Sequence, residues 1–428
     1  MHTKKTLLMS FSSVIRLFST LIIFIVLARI LGPKDFGEIS YNFALASLII
    51  LIVDYGFNIH LLKIIAKDIA NTYKYVNLAL YSKVLLTLLS LVLISILDNI
   101  SIEFFKNKVL FFELYISLVF FSFAEVFNIA YRAHGHFEKE TENISFSAIV
   151  HSIAVLIILV LTKDLLWIGL SFALSRLLYL IRISIKFLKF LNQESFALAK
   201  LKDVVQFTKE GAIYAADGFV TNFFYQIDSI FVKHLLGVVV LGQYQAAMKF
   251  LQGIIQFASV LANVFIPEIT KSLHNSALLK RNIHKLSDRM FYFGLLTGLA
   301  FMLWGKTLGD LVYGESYSID QKIWISIGVL VFLRYLSGSV GTVLISLGNQ
   351  AKRVASQVLS TIILLIIAPI LIKQYAIAGM LLSLQISVFA TFMFYMIIAK
   401  RNHITTGFDV YKFIITVAVI FVGVNLEF

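Results

Sequence analysis

The sequence predicts an all-α polytopic membrane protein of about twelve transmembrane helices in two six-helix halves, and three observations carry that reading. Of its 428 residues, 59 % are hydrophobic and 14 % charged, with mean hydropathy +0.88; a water-soluble domain carries about 25 % charged residues. The apolar residues arrive in runs of about 20 to 25, the length that crosses a bilayer. Lipid offers no partner to free backbone amides, and the runs lack the alternation of a membrane barrel, which leaves helices. With 3 prolines, 22 glycines and no low-complexity tract, disorder, collagen and coiled coil are excluded.

In chain order the predicted spans are 7–31, 39–62, 78–97, 109–131, 144–162, 165–188, 207–232, 243–268, 287–308, 323–346, 355–373 and 377–399. An apolar stretch at 412–424 is short for a thirteenth. Lys4 and Lys5 precede the first run as in a signal peptide, but Arg16 interrupts it and no A-x-A site follows, so a retained helix is expected. With the N-terminus inside, 22 lysines and arginines fall in the inner segments and 8 in the outer ones. This asymmetry places the N-terminus in the cytoplasm. It also accounts for the formal charge of +13 as topogenic charge in loops, and not as a nucleic-acid surface. The chain has no cysteine, which excludes disulfides, a cysteine zinc site and a cysteine nucleophile.

The outer connections are all short and house no soluble active site. The inner segment 191–206 reads as an amphipathic linker on the membrane surface. The expected organisation is therefore an N-terminal six-helix bundle (1–190), this cytoplasmic linker, a C-terminal six-helix bundle (207–400), and a cytoplasmic turn with a short hydrophobic tail (401–428). An internal repeat supports the division. ARILGPKDFGEIS after the first span matches KHLLGVVVLGQYQ after the seventh, with Gly32 and Gly37 opposite Gly237 and Gly242 at an offset of 205. AHGHFEK and SLGNQAK align Gly135 and Lys139 with Gly348 and Lys352 at an offset of 213. Both offsets lie near half the chain. Six spans per half give both halves the same orientation, a plan that carries substrate in a cleft between them.

The segment LARILGPKDFGEISYNFALASLIILIVDYGFN (27–58) resembles the signature of bacterial polysaccharide transporters of the O-antigen flippase (Wzx) type, within the multidrug/oligosaccharidyl-lipid/polysaccharide exporter superfamily. FYQIDSIFVKHLLGVVVLGQYQAAMKF (224–250) is similar to that family's segment at the start of its second half. The resemblance implies a fold of two bundles around a central cavity. The implied activity is transfer of undecaprenyl-diphosphate-linked oligosaccharide, an O-antigen or capsular repeat unit, from the inner to the outer leaflet by alternating access. It further implies a bacterial inner-membrane location, membrane lipids and other glycan-assembly proteins as partners, and no catalysis. Val238 stands where the first half has Pro33, so the repeat is imperfect.

Charged side chains at bilayer depth cost several kcal/mol unless they face a partner or water, which makes them the functional candidates. Arg16 lies about 14 Å along the first helix at 1.5 Å per residue, with Ser12, Ser13, Ser19 and Thr20 on the same stripe. Arg334 is equally deep in the tenth, and Lys249 is shallower in the eighth. These three are expected to form a cationic path for the diphosphate, guanidinium binding phosphate oxygens with two bonds. Arg176 in the sixth helix is a further substrate-binding candidate, ranked below them because some helices of a bundle are peripheral. Asp217 and Asp228 in the seventh helix, nearly three turns apart, share a face; Asp54 and Glu125 also lie within spans. Two roles stay open for these acids. They bind and release a proton or sodium during the transport cycle, or they neutralise the cations in the empty state.

His134-Gly-His136 lacks a third ligand nearby, and no metal site is expected there. His151 reads as a hydrogen-bonded packing residue. No P-loop or other cofactor motif occurs. Two further readings compete with the flippase: a drug or organic-cation antiporter of the same superfamily, which requires a carboxylate-dominated cleft, and a membrane glycan polymerase, for which the outer loops are too small.

Overall fold

A computed structural model describes residues 2–100, 104–192, 198–314, 316, 317 and 319–427, and within them all side chains but those of 2–14, 16, 17, 213, 216, 217, 221, 424 and 427. Among the described residues the chain is helical and without strands: α1 (His2–Asp54), α2 (Phe57–Lys67), α3 (Thr72–Ile100), α4 (Lys108–Ala133), α5 (Phe137–Thr162), α6 (Leu165–Phe190), α7 (Leu201–Leu236), α8 (Val238–Lys271), α9 (Ser276–Tyr313), α10 (Gln321–Ser346), α11 (Gln350–Arg401) and α12 (Val410–Glu427). Nine helical stretches among these residues are long and apolar enough to cross a membrane. Two of them hold a pair of spans each, because α1 kinks at Gly32 and α11 at Ala376. Apolar side chains such as Val92, Ile157 and Leu178 stand outward on α3, α5 and α6, as a lipid-facing surface requires.

Two compact units result. The first comprises 1–31 and 38–230, the second 32–37 and 231–428. Helix α7 contributes its first part to the first unit because Phe207 stacks on Phe57 (5.7 Å) and Thr208 Oγ1 donates to Ser82 Oγ of α3 (2.9 Å). In the second unit α10 is buried almost all round. Glycines on α9 let it approach: a Cβ at Gly298 would lie 2.7 Å from the Gly328 carbonyl oxygen, and one at Gly305 would lie 2.6 Å from Trp324 Cβ. Small residues at such spacing let helix backbones close on each other where no hydrophobic force separates lipid from protein.

The repeat seen in the sequence is present in the backbone. Gly32 (φ 75°, ψ 175°) and Gly237 (φ 95°, ψ 170°) share one conformation that a side chain rarely tolerates. Five residues further along the helix, the partner glycines make reciprocal contacts within the second unit. A Cβ at Gly37 would lie 2.1 Å from the Val238 carbonyl oxygen, and one at Gly242 would lie 1.9 Å from that of Pro33. Each turn thus receives the other's glycine, as two-fold-related surfaces do. The second pair of turns repeats as well. At Gly135 (φ 76°) the amides of Gly135 and His136 donate to the Arg132 and Tyr131 carbonyls (both 2.9 Å). At Gly348 (φ 75°) those of Gly348 and Asn349 donate to Ile345 and Leu344 (3.0 and 2.8 Å). Both close their helices by the same Schellman arrangement.

Helix ends depart from the predicted spans where amphipathic turns extend them. Helices α5, α7 and α9 begin at Phe137, Leu201 and Ser276, each before its predicted apolar start. Residues 410–427 form a full helix, anchored by Lys412, whose fully buried ammonium donates to Asp288 Oδ1 (2.5 Å) and the Gly407 carbonyl (2.6 Å).

The α4–α5 turn is a packed element. Arg132 Nε donates to both carboxylate oxygens of Glu140 (3.0 and 3.2 Å), and His134 Nε2 lies 2.8 Å from Thr72 Oγ1. Burial, and then the neighbouring His136, push the His134 pKa below the ordinary imidazole value. The folded state binds that proton more weakly than the unfolded chain, so the contribution is full above about pH 6.5 and is lost as pH falls through the lowered value. Thermal melts of purified protein are expected to show a loss of stability as pH falls below about 6.5 that His134→Gln reduces.

Candidate functional site

The first unit holds a polar pocket at bilayer depth, lined by Ser19 and Thr20 of α1, Phe121 of α4, Ser147 of α5, and Arg176 and Tyr179 of α6. Small side chains on α1 and α5 make the room, and Ser147 gives the guanidinium a partner. Arg176 Nη1 donates to Ser147 Oγ (2.8 Å), and its guanidinium lies 4.4 Å from the centre of the Phe121 ring. The free space is about 10 Å³, room for one water-sized group such as a single phosphate oxygen. Two contacts draw α1 to α5 at its rim: Ser19 Oγ donates to the Ala148 carbonyl (3.2 Å) and lies 2.7 Å from Ser152 Oγ. Admission of a larger anionic group to Arg176 requires these hydroxyl contacts to part.

A hydrogen-bonded chain leads from the pocket wall to a carboxylate. The fully buried Asn128 amide donates to Tyr179 OH and to Glu125 Oε1, both at 2.8 Å. Tyr179, which lines the pocket together with Arg176, is therefore joined to Glu125 through Asn128, a link that spacing alone did not reveal. A proton or anion arriving at one end changes the charge felt along such a network.

Asp54 sits in a second cluster. Its Oδ1 accepts from Lys83 Nζ (2.9 Å) and from Ser122 Oγ (2.6 Å), while Lys83 Nζ also donates to Ser122 Oγ (2.6 Å). The Lys83 side chain is 0 % exposed and that of Asp54 38 %. Removing Asp54 would leave the sealed Lys83 ammonium without its countercharge, which is costly, whereas removing Lys83 leaves a carboxylate that is partly open to solvent. Among the described residues Asp54 pairs with Lys83, a lysine that the sequence reading did not single out. Lys83 lies within the third predicted span, where a lysine resembles any snorkelling residue.

The other candidates fall as follows. Asp228 is buried, and its Oδ1 accepts from the Ser229 amide (2.6 Å) and hydroxyl (3.2 Å). In the second unit Lys249 donates to Gln252 Oε1 (3.3 Å), and Arg334 is half-buried in α10. The side chains of Arg16, Asp217 and Thr221 lie outside the described residues. His151 is buried and its Nδ1 lies 2.7 Å from Ser175 Oγ, the packing role expected of it. Glu113 escaped the sequence reading: one carboxylate oxygen is buried against Gly169, where an added Cβ would lie 2.2 Å away.

Comparison with known proteins supplies the family. The model of the family described as "Polysaccharide biosynthesis protein" matches residues 2–273. The chain belongs to that family. It is 26 % identical over 212 residues to "Capsular polysaccharide biosynthesis protein CapF" of Staphylococcus aureus, a match covering 48 % of this chain and 51 % of that protein. The chain thus spans about half the length of this curated relative. Among solved structures it resembles "Lipid II flippase MurJ, inward closed conformation" with a TM-score of 0.77 at 13 % identity, over 97 % of this chain and 96 % of that one. It also resembles an inward-facing multidrug resistance MATE family transporter of the MOP superfamily, with a TM-score of 0.68 at 14 % identity over 90 % of this chain and 95 % of that one. At these identities the likeness is one of fold. This member of the polysaccharide biosynthesis family is a multi-pass membrane protein with the fold of these transporters.

Proposed function

We propose that the chain is a flippase that moves undecaprenyl-diphosphate-linked oligosaccharide, an O-antigen or capsular repeat unit, from the inner to the outer leaflet of the bacterial cytoplasmic membrane by alternating access, with its N-terminus in the cytoplasm. The observation that carries this reading is a guanidinium at bilayer depth, Arg176, in a pocket walled by hydroxyls, in a chain of the polysaccharide biosynthesis family. An anionic headgroup gains two strong hydrogen bonds from such a group, whereas an organic cation would be repelled. Arg16, Lys249 and Arg334 are the further cations proposed along the path. Asp228, Asp217 and Glu125 are the proposed protonation or sodium sites that couple the motion to an ion gradient.

Opening of the Ser19 contacts with Ala148 and Ser152 would admit a phosphate oxygen to Arg176, and their closure would release it. The alternation supplies access from one leaflet and then the other. Deletion of the gene in its host is expected to abolish surface glycan and to accumulate its lipid-linked precursor, with drug susceptibility unchanged. Normal glycan together with increased drug susceptibility would overturn the reading in favour of a drug antiporter.

A further inference from the structure

The cluster at Asp54 has the form of a cation site that already holds its cation. Helix α1 ends at Asp54 in the middle of the second apolar run, because Tyr55 (φ 38°) and Gly56 (φ 67°) both take left-handed backbone conformations before α2 starts at Phe57. The break is held in place. A Cβ at Gly56 would lie 2.4 Å from the Tyr214 carbonyl carbon, so only glycine lets α7 approach there. A helix that stops inside a membrane brings the negative end of its dipole to that depth, the arrangement by which interrupted helices hold cations in carriers.

What stands at that end is an ammonium. Lys83 Nζ donates to Asp54 Oδ1 and Ser122 Oγ at 2.9 and 2.6 Å, and the Phe57 ring lies 5.8 Å away. Ser122 spends its own proton on Asp54, so its lone pairs face the ammonium. A carboxylate oxygen, a hydroxyl oxygen, an aromatic face and a helix C-terminus converge on one positive charge. The carboxylate and hydroxyl oxygens are hard donors of the kind a small alkali cation takes. The two partners also differ in access: the ammonium is sealed at 0 % exposure, while the carboxylate at 38 % is open. An ion reaching Asp54 from outside therefore meets a site filled by a charge tethered to the same protein, at an effective concentration no dissolved ion matches.

The geometry points to Lys83 as a built-in substitute for a free metal cation: Asp54, Ser122 and the broken end of α1 form an alkali-cation site permanently occupied by the Lys83 ammonium, which makes this acid indifferent to sodium. The inference refines the proposed function by assigning one of its acids. Its test reads ion binding on the purified protein, so its failure and that of the substrate assignment are distinguishable.

The experiment is a thermal-stability titration of the full chain in detergent at pH 8, with NaCl, LiCl, KCl or choline chloride at constant ionic strength. Wild type is expected to show no sodium- or lithium-specific rise in melting temperature that Asp54→Asn removes. Lys83→Met removes the charge and keeps the length of the side chain. It is expected to melt lower in choline and to rise saturably by about 3 °C or more with sodium or lithium. Asp54→Asn combined with Lys83→Met is expected to lose that rise while regaining part of the stability. If Lys83→Met does not yield monodisperse protein, Lys83→Gln takes its place. The wild-type titration is decisive alone in one direction: a saturable sodium effect abolished by Asp54→Asn would overturn the proposal. So would folded Lys83 variants that respond alike to all four salts.

Discussion

Gly242→Ala and Gly37→Ala are each expected to remove most of the folded protein from the membrane. The added methyl group would sit 1.9 Å from the Pro33 carbonyl oxygen in the first variant and 2.1 Å from that of Val238 in the second. Both obstacles are backbone atoms, which cannot rotate aside as a side chain does. Overpacking a tight contact costs about 1–3 kcal/mol where neighbours can adjust, and more where backbone must move. A cost of about 3 kcal/mol or more is a large fraction of a marginal stability. The measurement is the fraction of membrane-extracted protein that elutes as a monodisperse species. Gly218→Ala is the control, since a Cβ there meets nothing within 4 Å and φ is not positive. Equal yields for all three variants would contradict the reciprocal contact.

Arg176→Ala is expected to abolish glycan export while leaving the protein folded. The side chain donates to Ser147 and lies over the face of Phe121, the latter contact worth about 0.5–2 kcal/mol. Its contribution to an anionic headgroup is a pair of charge-assisted bonds in a site that holds little water. Arg176→Lys keeps the charge and loses the two-pronged geometry, so it is expected to retain partial activity. Surface glycan, measured alongside protein level in the membrane, checks the series. Full export by a normally expressed Arg176→Ala would remove Arg176 from the path.

The membrane fold was legible because apolar run length is a direct consequence of bilayer thickness. The repeat was legible through four glycines, since Gly32, Gly37, Gly237 and Gly242 each answer a steric demand that no other residue meets. Less visible were features whose meaning lies in neighbours distant along the chain. Lys83 reads as one more basic residue in an apolar run until Asp54 and Ser122 are brought to it from α1 and α4. Arg176 ranked low because the side chains around it, Ser19, Phe121 and Ser147, come from three other helices. The break after Asp54 is hidden because Gly56 lies within an unbroken apolar stretch, and hydropathy does not register a change of φ. The early starts of α5, α7 and α9 were missed for a related reason. Segments such as FEKETEN and LKDVVQFTKE are too charged to count as a span, yet they are good helix formers that continue past the hydrocarbon.

The proposed transport requires the half-buried guanidinium of Arg176 to receive the anionic headgroup of a lipid-linked glycan as it crosses the membrane. Its most direct test is a translocation assay in proteoliposomes carrying a fluorescent undecaprenyl-diphosphate oligosaccharide, with a membrane-impermeant quencher reporting which leaflet holds the label. Wild type is expected to move the label between leaflets, and Arg176→Ala, reconstituted at equal density, to move it no faster than protein-free vesicles. Wild type as slow as empty vesicles, or Arg176→Ala as fast as wild type, would contradict the claim.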